Sequence, residues 1–382
     1  MHFFSNLYHI NSIYLDLCCD TLKSNMLLKA LQQEQNMKNI TSFDEKELTE
    51  LVVELGQPKF RGKQLYEWLH KHNVRSYDEM KNLPKALREE LSQRYPLSSS
   101  NIRHSQHSAD GSKRYLFDLS DGNLIETVAI SDDGNEVDSQ GHLTVCVSSQ
   151  VGCPMLCAFC ATGQQGFTRN LSSDEIVDQV VYVGKDTGMR VSNVVVMGQG
   201  EPFNNYDAVI DAVKRINTEP GLNIGARHIT ISTSGIIKGI DRFTEEPEQF
   251  RLAVSLHSAI QSTRNLLMPK LASQTLSQLK SAIGHYNEIK GRRVTLEYLL
   301  LEDVNDSEKE LNALIDFCDG LNVHVNLLHY NATANDFFES SSDRVFKHWI
   351  KILSSNGIKA TTRKSRGSDI SAACGQLKNE FE

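Results

Sequence analysis

Three thiols stand close together at Cys153, Cys157 and Cys160, spaced C-x3-C-x2-C within Gly152–Cys160. No further cysteine follows until Cys318. Thiolates grouped this densely, outside any disulfide framework, usually hold metal. A structural zinc site takes four ligands, commonly as two C-x2-C pairs, and the second pair is missing here. A four-iron cluster held by four cysteines has no free corner, whereas three thiolates leave one iron open to a ligand from outside the protein. The triad points first to a [4Fe–4S] cluster with an open position. Zinc is the competing reading, and cysteines buried as core filler have little reason to group in this way.

Further chemistry-bearing residues lie on either side of the triad. Leu124, Glu126, Val128 and Ile130 share one face of a strand under period-two alternation, so a carboxylate stands in an apolar row. Glu126 must then be desolvated with a raised pKa, or paired with a cation, or serve as a salt-bridged structural residue. Val194–Met197 runs into Gly198-Gln199-Gly200-Glu201-Pro202, where glycines let a ligand approach the backbone and Glu201 can accept from an ammonium group. The G-x-G-x-x-G run of a dinucleotide site is absent. Ser232-Thr233-Ser234-Gly235, Ser255-Leu256-His257 and Tyr330-Asn331 are further polar strand ends. Singly each is ordinary; in succession they suggest a lined pocket. Cys374 sits among small residues with no periodic pattern to bury it, shortly after the basic residues Lys359, Arg363, Lys364 and Arg366. These could steer a phosphate backbone or form a solvated run. Cys318 ends an amphipathic helix and reads as core.

The elements that must position these residues alternate β and α. Strands fit at 143–148 (with Cys146), 193–198, 228–233, 251–257, 293–301 and 323–330, with a last one near 358–364. Helices fit near 173–186, 206–218, 275–288, 307–318 and 343–355, with a short one after Gly235. Ser172-Ser173-Asp174-Glu175 has the capping-box form. Repeated βα units imply a parallel sheet with right-handed crossovers. The fold class is α/β: an open partial (βα)6 barrel first, a doubly wound sheet second. In either, ligands gather at the carboxyl ends of the strands. Ahead of it, Tyr115–Leu119, Asp121-Gly122 and Leu124–Ile130 form a hairpin signal. Before the hairpin come three helices: one opening at a capping box at Ser42, one over Gly62–His72, and one opening at a second box at Ser76. Lys59, Arg61, Lys63, His70 and Lys71 around the second are a solvated face or a phosphate-contacting surface. The expected domains are an unassigned extension 1–36, with Met37 an alternative start; a helical accessory domain 37–106; a hairpin linker 107–142; the barrel 143–365; and a tail 366–382.

At 382 residues, 40% hydrophobic and 23% charged, the chain can bury a sizeable core. No apolar run is long enough for a membrane helix, and the N-terminus lacks the pattern of a secretory signal. The spread of the eight cysteines does not resemble a disulfide framework, so the cytoplasm is the expected compartment. A net charge of −8 disfavours nucleic acid only on average, since local patches govern phosphate contact.

The triad spacing resembles that of radical S-adenosylmethionine (SAM) enzymes. Gly152–Leu171, Met197–Pro202, Ile229–Gly235, Leu252–His257 and Arg366–Leu377 together resemble the radical SAM RNA methyltransferases acting on carbon 2 of adenosine. The resemblance runs from about Leu48 to the C-terminus. It implies a [4Fe–4S] cluster on Cys153, Cys157 and Cys160, and SAM bound by Gly200, Glu201, Ser232, Ser255, Leu256, His257 and Asn331. It further implies a methyl-carrying Cys374, a resolving Cys146 that forms a disulfide with it, and Glu126 as proton acceptor. In the family's scheme Cys374 is methylated by one SAM and a second yields the radical that activates that methyl. The resulting methylene adds to the ring; the base then removes the ring proton, and Cys146 releases the product. The substrates implied are 23S ribosomal RNA and the transfer RNA adenosine 3′ of the anticodon, with the helical domain binding RNA. Reduced flavodoxin or ferredoxin is the implied electron donor, and a monomer is expected. The related carbon-8 methyltransferases share nearly all these motifs and form the alternative; a non-enzymatic zinc- or RNA-binding protein is the second. The loop 131–142 looks longer than the family's, His329 stands where a proline is expected, and residues 1–36 match nothing in the family.

Overall fold

The computed structural model describes residues 39–98, 100–131, 142–219, 221–333, 337–363 and 365–379. The expectations for the N-terminal extension, most of the loop 131–142 and Lys364 fall outside the described residues. The chain divides into two compact units: the described part of Met1–Tyr66 with Val74–Leu97, and Glu67–Asn73 with the described part of Ser98–Glu382.

In the first unit the helix Glu45–Glu54 opens on a capping box, but at Asp44 rather than Ser42. The Asp44 carboxylate accepts from the Glu47 amide at 2.7 Å, and the Glu47 carboxylate accepts from the Asp44 amide at 2.9 Å. Ser42 is already engaged: its hydroxyl donates to the Asn39 carbonyl at 2.7 Å, closing a 3-10 turn over Ile40–Ser42. Leu48, Leu51 and Val52 form the buried stripe of the helix. The next helix runs from Phe60 to Tyr66, and the rest of the expected Gly62–His72 helix is a π-helical turn, Glu67–Lys71, that belongs to the second unit. Gly62 permits a close crossing, since a Cβ there would stand 2.5 Å from the Thr49 Cα. The Ser76 box forms as expected but launches only the 3-10 turn Tyr77–Glu79. Pro84 disfavours helical backbone at Leu83, and the helix proper is Lys85–Arg94.

The second unit is built on a ten-stranded sheet. Its strands are β1 (Ser100–His107), β2 (Lys113–Leu119), β3 (Leu124–Ser131), β4 (Leu143–Val147), β5 (Val191–Val196), β6 (Ile229–Thr233), β7 (Arg251–Ser255), β8 (Val294–Leu300), β9 (Val323–His329) and β10 (Lys359–Arg363). The first four pair antiparallel and β4 to β10 pair parallel. Spatial order follows chain order from end to end. A doubly wound sheet reverses direction at a switch point, and here there is none. The result is an open partial barrel, with a helix in each crossover between β4 and β10.

Alternation divides each parallel strand. Val145, Val194, Ile231, Val254, Tyr298 and Val325 belong to the core under the helices. Their neighbours Cys146, Ser232, Ser255, Glu297 and Asn326 take the opposite face, toward the barrel interior. β1 was not expected from the sequence, because its residues are mostly polar. It is an edge strand, and the stretch leading into it is tied by hydroxyls: Ser98 and Ser100 donate to the Asp178 carboxylate at 2.9 and 3.2 Å.

Candidate active site

The triad leaves a two-stranded ribbon, Gln150–Gly152 with Phe167–Asn170. Gly152 has φ +74°, which glycine adopts without strain, and the Cys153 amide donates to the Gly166 carbonyl at 2.7 Å. Leu156 is left-handed as well, at φ +52°. The Ala158 amide donates to the Leu267 carbonyl at 2.9 Å and the Cys160 amide to the Cys157 carbonyl at 3.2 Å, folding the loop back on itself. Burial pushes the Cys153 thiol up to about 12 and the Cys157 thiol well upward, and the neighbouring thiols add to both. Thiols desolvated together in one loop, two of them raised further by a neighbouring thiol, suit a cationic guest. Among the described residues, no three His, Cys, Asp or Glu side chains could share a single metal ion. A four-iron cluster with one open corner takes one thiolate on each of the other three, the number this triad supplies.

Strand ends ring this loop. Glu201 is buried, and its carboxylate accepts from the Thr233 hydroxyl at 2.7 Å, the Ser234 amide at 2.6 Å and the Phe203 amide at 3.0 Å. Burial raises its pKa against these bonds. Three protein donors therefore occupy the carboxylate, which joins the ends of β5 and β6. The Gly200 backbone is not left open: a Cβ there would meet the Gln150 Cβ and the Ser149 hydroxyl at 2.7 Å. Packing within the chain demands this glycine.

His257 follows β7 in left-handed conformation at φ +55°. The Leu299 amide donates to its Nδ1 at 3.0 Å, which puts the ring proton on Nε2. Burial, with Arg264 nearby, lowers its pKa to about 3, and Phe159 of the triad loop meets the ring edge-on at 4.7 Å. Leu256 contributes backbone only: its side chain is core, and its amide donates to the Glu297 carbonyl at 2.9 Å. Ser232 and Ser255 face the interior from adjacent strands.

The tail returns across this opening. The Ala161 amide donates to the Gly375 carbonyl at 2.8 Å and the Thr162 hydroxyl to the Leu377 carbonyl at 2.6 Å. Asn331 donates to the Cys374 carbonyl at 3.2 Å, and Gln376 to the Ala332 carbonyl at 2.8 Å. Cys374 retains accessible surface, yet protein close about it still pushes its thiol up to about 11, eased by Arg363 and reinforced by Cys160 and Glu297. Cys146 is pushed up to about 12 by burial and then by Cys374. Cys146, Cys160 and Cys374 thus share one electrostatic neighbourhood. Ala372 and Leu377 pack on Val128, beside Cys146 and Ile130. Cys318 lies in the helix-side core.

Glu126 is fully buried on β3 and ion-paired to Arg114 of β2, the cation its place in an apolar row calls for. Burial raises its pKa, while Arg114 and the amides of Asn379 and Lys378 lower it. Sequence reasoning passed over three charged residues. Arg114 lies one residue before Tyr115–Leu119, the run that marks the hairpin strand in the sequence. Arg264 is buried and donates to the carbonyls of Ser234 at 2.7 Å and Ser255 at 3.2 Å. Glu297 is a buried carboxylate on the inner face of β8, in register with Ser255 and Asn326. Period-two counting along the strands could have revealed Arg114 and Glu297, whereas Arg264 lies on the helix Gln261–Leu267, where that count does not apply.

Known proteins match this arrangement over most of its length. Residues 38–96 match the family described as the ribosomal RNA large subunit methyltransferase N-terminal domain, and residues 147–315 the radical SAM superfamily. A probable dual-specificity RNA methyltransferase RlmN of Lysinibacillus sphaericus is 43% identical over 92% of this chain and 91% of its own. One from Staphylococcus carnosus is 44% identical over 89% of this chain and 93% of its own. The crystal structure of a radical SAM methyltransferase from Sphaerobacter thermophilus superposes with a TM-score of 0.84 at 41% identity, covering 90% of this chain and 99% of that one.

Proposed function

We propose a function from one premise: the chain belongs to the RlmN family of dual-specificity RNA methyltransferases, within the radical SAM superfamily. It is an RNA methyltransferase that uses a [4Fe–4S] cluster and SAM, and its substrates are ribosomal and transfer RNA. More finely, it methylates carbon 2 of an adenosine in 23S ribosomal RNA and of the transfer RNA adenosine 3′ of the anticodon.

Cys153, Cys157 and Cys160 would hold the cluster, which when bound supplies the electron that opens SAM to radical chemistry. Glu201, Ser232, Ser255, His257 and Asn331, with the backbone of Gly200 and Leu256, would line the SAM site. Cys374 would carry the methyl group, since sulfur is nucleophilic toward a sulfonium and carbon 2 of adenine is not. Glu126 would accept the ring proton. Cys146 would attack the Cys374 sulfur, freeing the product and leaving a disulfide that a thiol reductant reopens. The observation that carries this reading is the shared neighbourhood of Cys374, Cys146 and Cys160, with Gly375 bonded to Ala161 beside the triad. Reduced flavodoxin or ferredoxin would be the electron donor. The protein would act as a monomer in the cytoplasm; among the described residues no helix is long and apolar enough to cross a membrane. The helical unit would bind RNA, and the catalytic tail would span 366–382.

The test is incubation of anaerobically reconstituted protein with labelled SAM and either RNA, followed by nucleoside mass spectrometry. 2-Methyladenosine is expected from both RNAs, and none from a Cys374→Ala variant. 8-Methyladenosine would transfer the assignment to the related carbon-8 enzymes, and a colourless zinc protein would end it.

A further inference from the structure

We infer that Arg114 is a positioning residue that holds the proton acceptor and the cysteine-bearing tail in one frame. The inference rests on the roles proposed above for Glu126 and Cys374.

Arg114 is 3% exposed and Glu126 0%, so the pair lies out of water. One terminal nitrogen of the guanidinium engages the Glu126 carboxylate. The other donates to the Ile370 carbonyl at 3.0 Å. Ile370 closes the 3-10 turn Ser368–Ile370 at the root of the tail. The turn between β1 and β2 grips the same root. The Asp369 carboxylate accepts from the Ser108 hydroxyl at 2.5 Å and the Ala109 amide at 3.0 Å, and the Gly367 amide donates to the Asp110 carboxylate at 2.8 Å. Arg114 extends this grip inward to the carboxylate.

Two physical demands meet at this position. A buried carboxylate without a cation would take up a proton and lose its capacity as a base. A tail carrying a reactive carbon must also be registered against that base, because small misplacements cost large factors in rate. A planar guanidinium satisfies both demands with separate nitrogens on a rigid fork, whereas an ammonium offers one point of charge. A bridge that only stabilised the hairpin would need Glu126 of the facing strand but not the Ile370 carbonyl of the tail.

The experiment compares full-length Arg114→Met, Arg114→Lys and Glu126→Gln variants, reconstituted and given SAM and a transfer RNA substrate. The covalent protein–RNA adduct is followed on denaturing gels. Protease cleavage near residues 365–379 is followed separately in cluster-free protein. Arg114→Met should accumulate adduct at least tenfold over wild type, as Glu126→Gln should, and its tail should be cut faster. Arg114→Lys should bring adduct back toward the wild-type level while the tail stays as easily cut as in Arg114→Met. If Glu126→Gln traps adduct but Arg114→Met clears it at the wild-type rate, the inference is wrong and the role of Glu126 stands. If Glu126→Gln itself clears adduct normally, the proposed proton acceptor fails first. Should Arg114→Met not fold, the lysine variant decides: wild-type behaviour in both readouts overturns the inference, and a loosened tail with adduct between the wild-type and Glu126→Gln levels supports it.

Discussion

The side-chain amide of Asn331 donates to the backbone carbonyl of Cys374 at 3.2 Å, joining the segment after β9 to the tail. With Gln376 on the Ala332 carbonyl at 2.8 Å, it holds the thiol over the barrel opening. A single hydrogen bond of this kind contributes about 1 kcal/mol, or about a fivefold change in an equilibrium. Asn331→Ala should therefore slow methyl transfer from labelled SAM to Cys374 about fivefold, measured without RNA at saturating SAM. A side chain that only contacts SAM would instead raise the KM for SAM and leave the saturated rate alone. The second pattern would remove Asn331 from the tail's support.

Gly152 prepares the triad by backbone shape. Its φ of +74° already disfavours any other residue, and a Cβ would stand 2.0 Å from the Gly166 carbonyl oxygen, the acceptor for the Cys153 amide. The obstacle is backbone, so no rotamer change relieves it. Gly152→Ala should destabilise the apoprotein by about 2 kcal/mol or more, read from urea unfolding. Iron and sulfide retained after reconstitution should drop with it. Full iron content with an unchanged unfolding midpoint would contradict this account of the ribbon.

Much of this architecture was legible because it repeats locally. Each parallel strand alternates between a helix-side core residue and an interior one, and the Ser172 box marks its helix as expected. Glu126 announced itself as a carboxylate in an apolar row, and the cysteine triad by spacing alone. What escaped was held by contacts with no period. The tail is fastened by Asp110, Arg114, Asn331 and Thr162, each far from it in the chain, and by carbonyls that any residue supplies. The glycines at 198 and 200 looked suited to ligand approach. Instead, Cβ atoms there would meet the Ser148 and Ser149 hydroxyls at 2.7 Å, so neighbouring loops impose them. β1 escaped because serine hydroxyls, not an apolar stripe, fasten the stretch that leads into it.

Arg264 links two strand ends from beneath the triad. Its guanidinium is buried, donates to the carbonyls after β6 and β7, and leaves Nε without a partner. Burial lowers its pKa to about 10, opposed by Cys157. Arg264→Met would leave two carbonyls without a donor, at about 1–3 kcal/mol each. The urea midpoint of the apoprotein should drop accordingly, with Arg264→Lys intermediate because its shorter, non-planar head cannot reproduce the position of the guanidinium nitrogen that serves both carbonyls. Equal stability of all three proteins would show that the two strand ends do not depend on this residue.

His257 makes stability depend on pH in a direction fixed by its burial. Its pKa is lowered from 6.5 to about 3, so between those values the unfolded chain holds a proton that the folded chain does not. Stability from this residue is fully present above about pH 6.5 and is lost as the pH falls toward 3. The limiting slope is about 1.4 kcal/mol per pH unit for one proton. Carboxylates titrate in the same range, so the contribution must be isolated by substitution. His257→Asn suits the purpose: asparagine tolerates the φ of +55°, its Oδ1 can take the Leu299 amide that Nδ1 accepts, and it does not titrate. Between pH 6 and 4 the variant's stability should fall less steeply than wild type by up to that slope, measured by urea unfolding of the apoproteins. Parallel curves would mean that the imidazole is protonated in the fold. The Leu299 amide could then no longer donate to Nδ1, and the tautomer that presents Nε2–H to the site would be wrong.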